Sequence, residues 1–395
     1  MSRRGDLDVI VVGAGAIGTA LALGLARDGF DVALIEAGAP KPWRVEDDVD
    51  LRVVAVASDA RDLLEDVDVW KAIAGARIGP YRRMRVWDAS APGELSFDAA
   101  DEGKSALGWI VENKLIQHAL WQSIAADARV RVLCPAEVVD VENADDAATV
   151  TLADGTRLRA RALVAADGAQ SPVREKLGIA CTDRDYAQRA VVAHVTTERS
   201  HQNTAWQRFQ PGGPLAFLPL ADGRSSIVWS LPNDEAARVL ALDDAAFRAE
   251  LGCAFDFRLG EITAASARAA FPLRLRLADK YLVGRCVLAG DAAHVVHPLA
   301  GQGMNLGFRD AACLRRVLRD ARERGGDIGS THVLRRYGRE RRSENALAAR
   351  GLDAIHAVFG SDNLVAVATR GAALAAADRL VPLKHRLMSI ASGRR

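Results

Sequence analysis

Three glycines near the start of the chain, Gly13, Gly15 and Gly18, stand in the spacing G-x-G-x-x-G. That spacing suits the holding of a dinucleotide pyrophosphate. Gly13 permits a tight turn, Gly15 lets backbone N–H groups approach phosphate, and Gly18 lets a helix pack closely on a strand. Glu36 follows Gly18 by 18 residues and can accept hydrogen bonds from ribose hydroxyls. Far along the chain, Gly290-Asp291 leads into a loop with His294, His297, Pro298, Gly301 and Gly303. An aspartate there can accept hydrogen bonds from a polyol, which FAD carries in its ribityl chain and NAD lacks. A helix beginning near Gly303 would turn its positive end toward charge developing on a flavin. His294 and His297, three apart, invite a metal reading, but no nearby Asp, Glu or Cys completes a ligand set. His294 is expected to be a hydrogen-bonded structural residue instead.

Elements of matching kind surround these residues. An apolar strand over 9–12, an apolar helix with Ile17, Ala20, Leu21 and Leu25, and a second strand over 32–35 form a β-α-β unit around the first motif. Residues 9–26 carry no charge and follow Arg3-Arg4, as a signal peptide or membrane span would. The three spaced glycines and the completed β-α-β pattern favour the nucleotide reading. Helices are predicted over 58–73 and 115–124, and a hairpin joins 84–87 to 95–97 around Pro92-Gly93. A strand over 162–166 stops at Asp167-Gly168, and a short helix then begins with Ser171 as cap and Pro172 at its first position. From 190 to 275 the pattern becomes short alternating strands with one helical piece over 245–251. Strands over 281–283 and 287–289 return to parallel character, and helices are predicted over 303–324, 331–359 and 363–380.

The bulk properties narrow the options. Lys+Arg of 52 against Asp+Glu of 51 leaves a net charge of +1, so no global field recruits nucleic acid. Five scattered cysteines (Cys134, Cys181, Cys253, Cys286, Cys313) without a C-x-x-C pair argue for reduced thiols in a cytoplasmic setting. The expected fold class is α/β, organised as an α+β pair of domains. Residues 1–75, 99–185 and 276–340 form a discontinuous Rossmann-like FAD-binding domain. An inserted antiparallel β-sheet substrate domain takes 76–98 and 186–275, and 341–395 form a helical C-terminal region.

The run from Gly290 to Gly307 matches the pattern G-D-A-A-H-x-x-H-P-x-A-G-Q-G-x-N-x-G, and with it the chain resembles the group A flavoprotein aromatic hydroxylases of the para-hydroxybenzoate-hydroxylase fold. It is most similar to the ring hydroxylases of ubiquinone biosynthesis. The likeness extends over the GAGAIG turn, Leu51-Arg52, residues 108–120, Asp167-Gly168, residues 215–220, Phe271-Pro272-Leu273 and the helix of Tyr337 and Arg341.

That resemblance implies FAD as cofactor and NAD(P)H as electron donor. Gly13, Gly15, Ala16, Ile17, Gly18, Glu36, Arg52, Asn113, Gln117, Val138, Asp167, Gly290, Asp291, Pro298, Gly301, Gly303, Met304 and Asn305 are then the candidate cofactor contacts. Glu36 would hold the adenosine ribose, Arg52 the phosphate or ribityl region, and Asp291 the ribityl chain, with residues 301–305 along the isoalloxazine. Many relatives carry an arginine where Asn113 stands, and Gln117 one helical turn later would supply a polar contact. The implied reaction is monooxygenation of an electron-rich aromatic ring by O2 through a flavin C4a-hydroperoxide, with Pro298, His297 and Gly301 shaping the catalytic face. A polyprenylated phenol or quinol would be the substrate, and Trp206, Phe217 and Trp229 are candidate contacts for it. Ordinary core packing competes for all three.

Two other functions share part of this pattern: a hydroxylase of a small soluble phenol, and a binding or assembly protein in which flavin is structural. The region 352–395 mixes apolar residues with Arg370, Arg379, Lys384 and Arg386. It suits peripheral docking on an anionic membrane or a biosynthetic complex, a packed tail, or a homo-oligomer interface.

Overall fold

The computed structural model describes residues 6–296, 302–359 and Asp378. His297, Pro298 and Gly301, and the helix expected over 363–380, therefore lie outside the described residues.

Leu7–Val12 reads LDVIVV and is buried almost throughout. A strand buried on both faces belongs inside a parallel sheet. It pairs in parallel with Val32–Ile35 on one side and Arg157–Ala165 on the other. Val130–Leu133 and Cys286–Leu288 extend the sheet, also in parallel. The strand Leu282–Val283 departs from the expectation by running antiparallel to Cys286–Leu288. Only Gly284-Arg285 separate the two, a span that allows a hairpin but no parallel crossover.

Helix Ala16–Arg27 lies between this sheet and helix Gln302–Glu323, with every residue from Gly18 to Ala26 buried. The uncharged run over 9–26 is thus a core strand and a core helix. Among the described residues no helix is long and apolar enough to cross a membrane. The single helix expected over 58–73 is two, Ser58–Asp66 and Trp70–Ala76. Asp68 between them takes a left-handed φ of 57°, which an α-helix cannot accommodate.

A second, nine-stranded sheet is antiparallel except where Arg83–Asp88 runs parallel to Thr204–Phe209. Strand Leu215–Pro219 alternates strictly. Leu215 and Phe217 point into a core of their own, and Ala216 and Leu218 point to the opposite face. The sheet reaches further than the alternation suggests. Cys181–Thr197 is one 17-residue strand, bulged between Asp185 and Arg189, and it carries the chain from one layer into the next. The core side is covered by two helices, Asn233–Ala241 and Asp244–Ala254, where one was expected. The overlooked helix follows Pro232 and opens with Asp234 and Glu235, signals an N-terminus favours.

A three-stranded sheet of Val53–Val56, Gly108–Glu112 and Gly79–Tyr81 sits between the two large ones. His294–Val295 pairs with Ala269–Ala278 of the second sheet, so the segment after Gly290-Asp291 is hydrogen-bonded to the other layer.

Candidate active site

A cavity of about 840 Å3 opens between the layers. Its floor comes from Gly15 to Ile17, the 51–55 segment, Ala289 to Asp291 and Gly303 to Asn305, and its roof from the second sheet.

Each glycine of the first motif has a separate geometric reason. Gly13 has φ 101°, and a Cβ there would lie 2.4 Å from the Ala166 carbonyl oxygen. A Cβ on Gly18 would lie 2.0 Å from the Gly13 carbonyl oxygen. Among the described residues outside its chain neighbours, Gly15 has nothing within 4 Å of where its Cβ would be, and it lines the cavity. Gly15 also caps helix Ala16–Arg27 without a capping side chain. The amides of the first turn are therefore left for an anion.

The two motifs meet at Ile17. Its side chain lies against the positions where a Cβ would stand on Gly290, at 3.2 Å, and on Gly307, at 2.8 Å. Glu36, at the end of its strand, accepts from Ala14 N at 2.6 Å and so reaches the turn itself. Asn113 and Gln117, one turn apart on helix Asn113–Ala125, both line the cavity, and Asn113 N donates to the Arg52 carbonyl at 2.9 Å. Arg52 is exposed at the cavity wall. Gly303 and Met304 line it from the start of helix Gln302–Glu323. Val138 packs against the main core and is not among the lining residues.

Asp167 sits beside the lining residues Ala166 and Gly168. Its Oδ2 accepts from Val173 N at 3.0 Å, but its Oδ1 is buried without a partner. Burial pushes its carboxyl above the ordinary value, against the pull of hydrogen bonds from Ser171 and Val173. A buried carboxylate oxygen left unpaired beside a cavity fits a ligand that brings donors. Together with the open cradle at Gly15 and the exposed carboxylate of Asp291, it matches the polar outline of FAD.

Other residues hold the site in place. Asn305 lines the cavity, but its amide joins the chain: Oδ1 accepts from Ala57 N at 2.9 Å and Nδ2 donates to Ala55 O at 2.8 Å. His294, as expected, is structural, with Nε2 2.6 Å from Asp310 Oδ2. The same oxygen accepts from Gly290 N at 3.0 Å, and Arg341 Nε donates to Asp310 Oδ1 at 2.7 Å. Burial pushes the Asp310 carboxyl up, but His294 and Arg341 outweigh it and hold it below its ordinary value. Among the described residues no cluster of three or more His, Cys, Asp or Glu could hold a metal.

The loop before Arg52 is tied from both layers. Glu112 accepts from Asp50 N at 2.8 Å and from Arg77 at 2.9 Å. His194 Nε2 lies 3.2 Å from both the Val49 and Asp50 carbonyls. Sequence reasoning missed Glu112, His194 and Asp310 because their partners are remote in the chain.

The aromatic candidates divide. Trp206 touches the cavity, although its ring packs edge-on to Trp87 and Phe255. Phe217 and Trp229 are corrected to core residues. Phe217 stacks on Phe255 at 3.7 Å, Trp229 is 4% exposed, and neither lines the cavity. Strand alternation sends them to the far face and leaves Ala216, Val228 and Ser230 facing the site.

Comparison with known proteins agrees with this geometry. Residues 6–350 match the model of the family described as FAD binding domain. The chain is 39% identical over 390 residues to 3-demethoxyubiquinol 3-hydroxylase of Escherichia coli (strain K12), covering 98% of each. It is 36% identical to ubiquinone hydroxylase UbiL of Rhodospirillum rubrum, over 98% of this chain and 89% of that one. Among solved structures, p-nitrophenol 4-monooxygenase PnpA from Pseudomonas putida DLL-E4 superposes with a TM-score of 0.78 at 20% identity, covering 99% of both chains, which establishes the shared fold. The chain belongs to the FAD-binding-domain family and, within it, to the ubiquinone-biosynthesis hydroxylases.

Proposed function

We propose that the protein is an FAD-dependent monooxygenase that hydroxylates the ring of a polyprenylated phenol or quinol precursor of ubiquinone. The observation that carries this reading is a cavity that joins both glycine turns to a largely apolar roof. Bound FAD, reduced by NAD(P)H, would supply the chemistry that activates O2 for insertion into the ring.

The chain's own residues bind, orient and exclude water. The free amides after Gly15 receive the pyrophosphate, and Glu36 the adenosine ribose. Asp291 receives the ribityl chain, with Arg52, Asn113 and Gln117 on the facing wall. Among the described lining residues there is neither cysteine nor histidine, which suits a reaction without a protein nucleophile. A substrate phenol oxygen activates its own ring, so the roof need only position it and keep the site dry.

A prenyl tail suits the apolar lining, since each buried CH2 contributes about 0.8 kcal/mol. Such a substrate resides in a bilayer, and the reading includes docking of the protein at the cytoplasmic face of a membrane. Flotation with anionic vesicles tests it, and a protein that stays in the dense fraction ends that part of the reading.

The decisive assay supplies 18O2, NAD(P)H and a prenylated phenol to the FAD-loaded enzyme. One 18O atom in the product ring supports the reading. NAD(P)H oxidation that yields only hydrogen peroxide with every prenylated phenol overturns it.

A further inference from the structure

Gln207 lies in the middle of strand Thr204–Phe209 and lines the cavity. It pairs across the sheet with Ala216, Ala216 with Val228, and Val228 with Val192. All four line the cavity, so this row sets one amide beside three apolar side chains in a roof whose other polar groups, Ser230 and Arg274, lie on other strand positions. Gln207 is only 8% exposed. Of its two neighbours, Arg208 donates to the Ala254 carbonyl at 2.9 Å on the far side, and Trp206 packs against Phe255 there while still touching the cavity.

Among the described residues the Gln207 side chain makes no hydrogen bond. Gln188 and Gln210, elsewhere in the second sheet and its loops, each spend their amide on a backbone carbonyl, of Gly212 at 3.0 Å and of Ala254 at 2.7 Å. The amide opens onto the cavity and offers both a donor and an acceptor to whatever fills it. A hydrocarbon tail cannot satisfy it. An oxygen substituent on an aromatic ring can.

We propose that Gln207 is the residue that recognises the substrate ring, by hydrogen bonding to a ring oxygen from the roof of the cavity. The inference rests on the reading of the protein as a hydroxylase of prenylated phenols and adds the polar contact that sets the ring's orientation. The apolar residues of the same row would then meet the remainder of the ring and the start of the tail.

The test is a cycle between protein and ligand. Wild type, Gln207→Met and Gln207→Leu, each loaded with FAD, are titrated with a short-chain prenylated phenol and with the corresponding prenylated benzene lacking the hydroxyl. Binding is read from the flavin absorbance change. Wild type should prefer the phenol, and both variants should lose about tenfold of that preference, the worth of one hydrogen bond. Binding of the deoxygenated compound should change less than twofold.

Variants that keep the full preference overturn the inference, as does loss of FAD by both variants, which would mark a structural role. Failure of the underlying reading looks different, because wild type itself would then bind neither compound.

Discussion

Ile17 occupies the notch left by Gly307: a Cβ on that glycine would stand 2.8 Å from Ile17 Cδ1. The first glycine turn and the Gly290–Gly307 motif are thereby locked together at one side chain. The contact predicts that Gly307→Val displaces Ile17 and weakens FAD binding, with overpacking worth about 1–3 kcal/mol of stability. Adding Ile17→Ala to that variant should restore part of both, with a coupling of about 0.5–3 kcal/mol. Strictly additive effects in denaturant unfolding would show that the two motifs do not bear on each other.

Adjacent residues on opposite faces of one strand should behave oppositely. Phe217 belongs to the second core, and Phe217→Ala should cost about 3–5 kcal/mol while leaving KM for a tailed substrate unchanged in the folded fraction. Ala216 faces the cavity, and Ala216→Phe should leave FAD affinity intact and raise KM for tailed substrates most. Steady-state kinetics over tail length checks this pair. A rise in KM from Phe217→Ala would return that residue to the substrate site.

The cofactor floor was readable from sequence because its residues are set by local geometry. Gly13, Gly15 and Gly18 are required by a turn and a helix that follow directly, and the strand over 9–12 announces itself by continuous apolarity. The roof was harder to read. Both faces of strand Leu215–Pro219 are apolar, so nothing in the residue types said that Phe217 faces a core and Ala216 a cavity. The two were distinguished only by which helices cover which side, a long-range fact. Asp310 was invisible for a related reason, since its partners Gly290, His294 and Arg341 converge on it through packing of separate elements.

That convergence makes Asp310 a sensitive point. Asp310→Ala takes the buried carboxylate from Arg341, leaving it Glu344 and Asn345, and removes the acceptor from Gly290 N; breaking such a buried pair costs up to about 3–5 kcal/mol. Urea unfolding of the apo-protein should show that loss, and FAD affinity should fall with it as the turn before Asp291 loosens. Full stability in the variant would contradict the role given to this network.

His194 predicts a pH dependence. Burial holds its imidazole below the ordinary value of 6.5, with Arg224 adding to the effect and the Asp50 and Val49 carbonyls and Asp48 opposing it. Burial lowers His201 in the same direction. The unfolded chain therefore takes up protons near pH 6.5 that the folded chain refuses until lower pH, and stability falls as pH drops through that window. His194→Gln, which keeps a donor for the Val49 and Asp50 carbonyls, should flatten the slope of Tm against pH below 6.5. An unchanged slope would assign the acid sensitivity to other groups.

The most direct test of the whole account is calorimetric titration of the apo-protein with FAD, using wild type, Gly15→Val and Gly303→Val. Both glycines line the cavity from distant parts of the chain, and among the described residues outside each one's own chain neighbours and helix no atom lies within 4 Å of where its Cβ would stand. Each valine should fold normally and project into the space the cofactor requires. The account predicts one FAD per wild-type chain and a severe loss of affinity in both variants. Wild-type affinity in either one would mean that the two turns do not close on the same molecule.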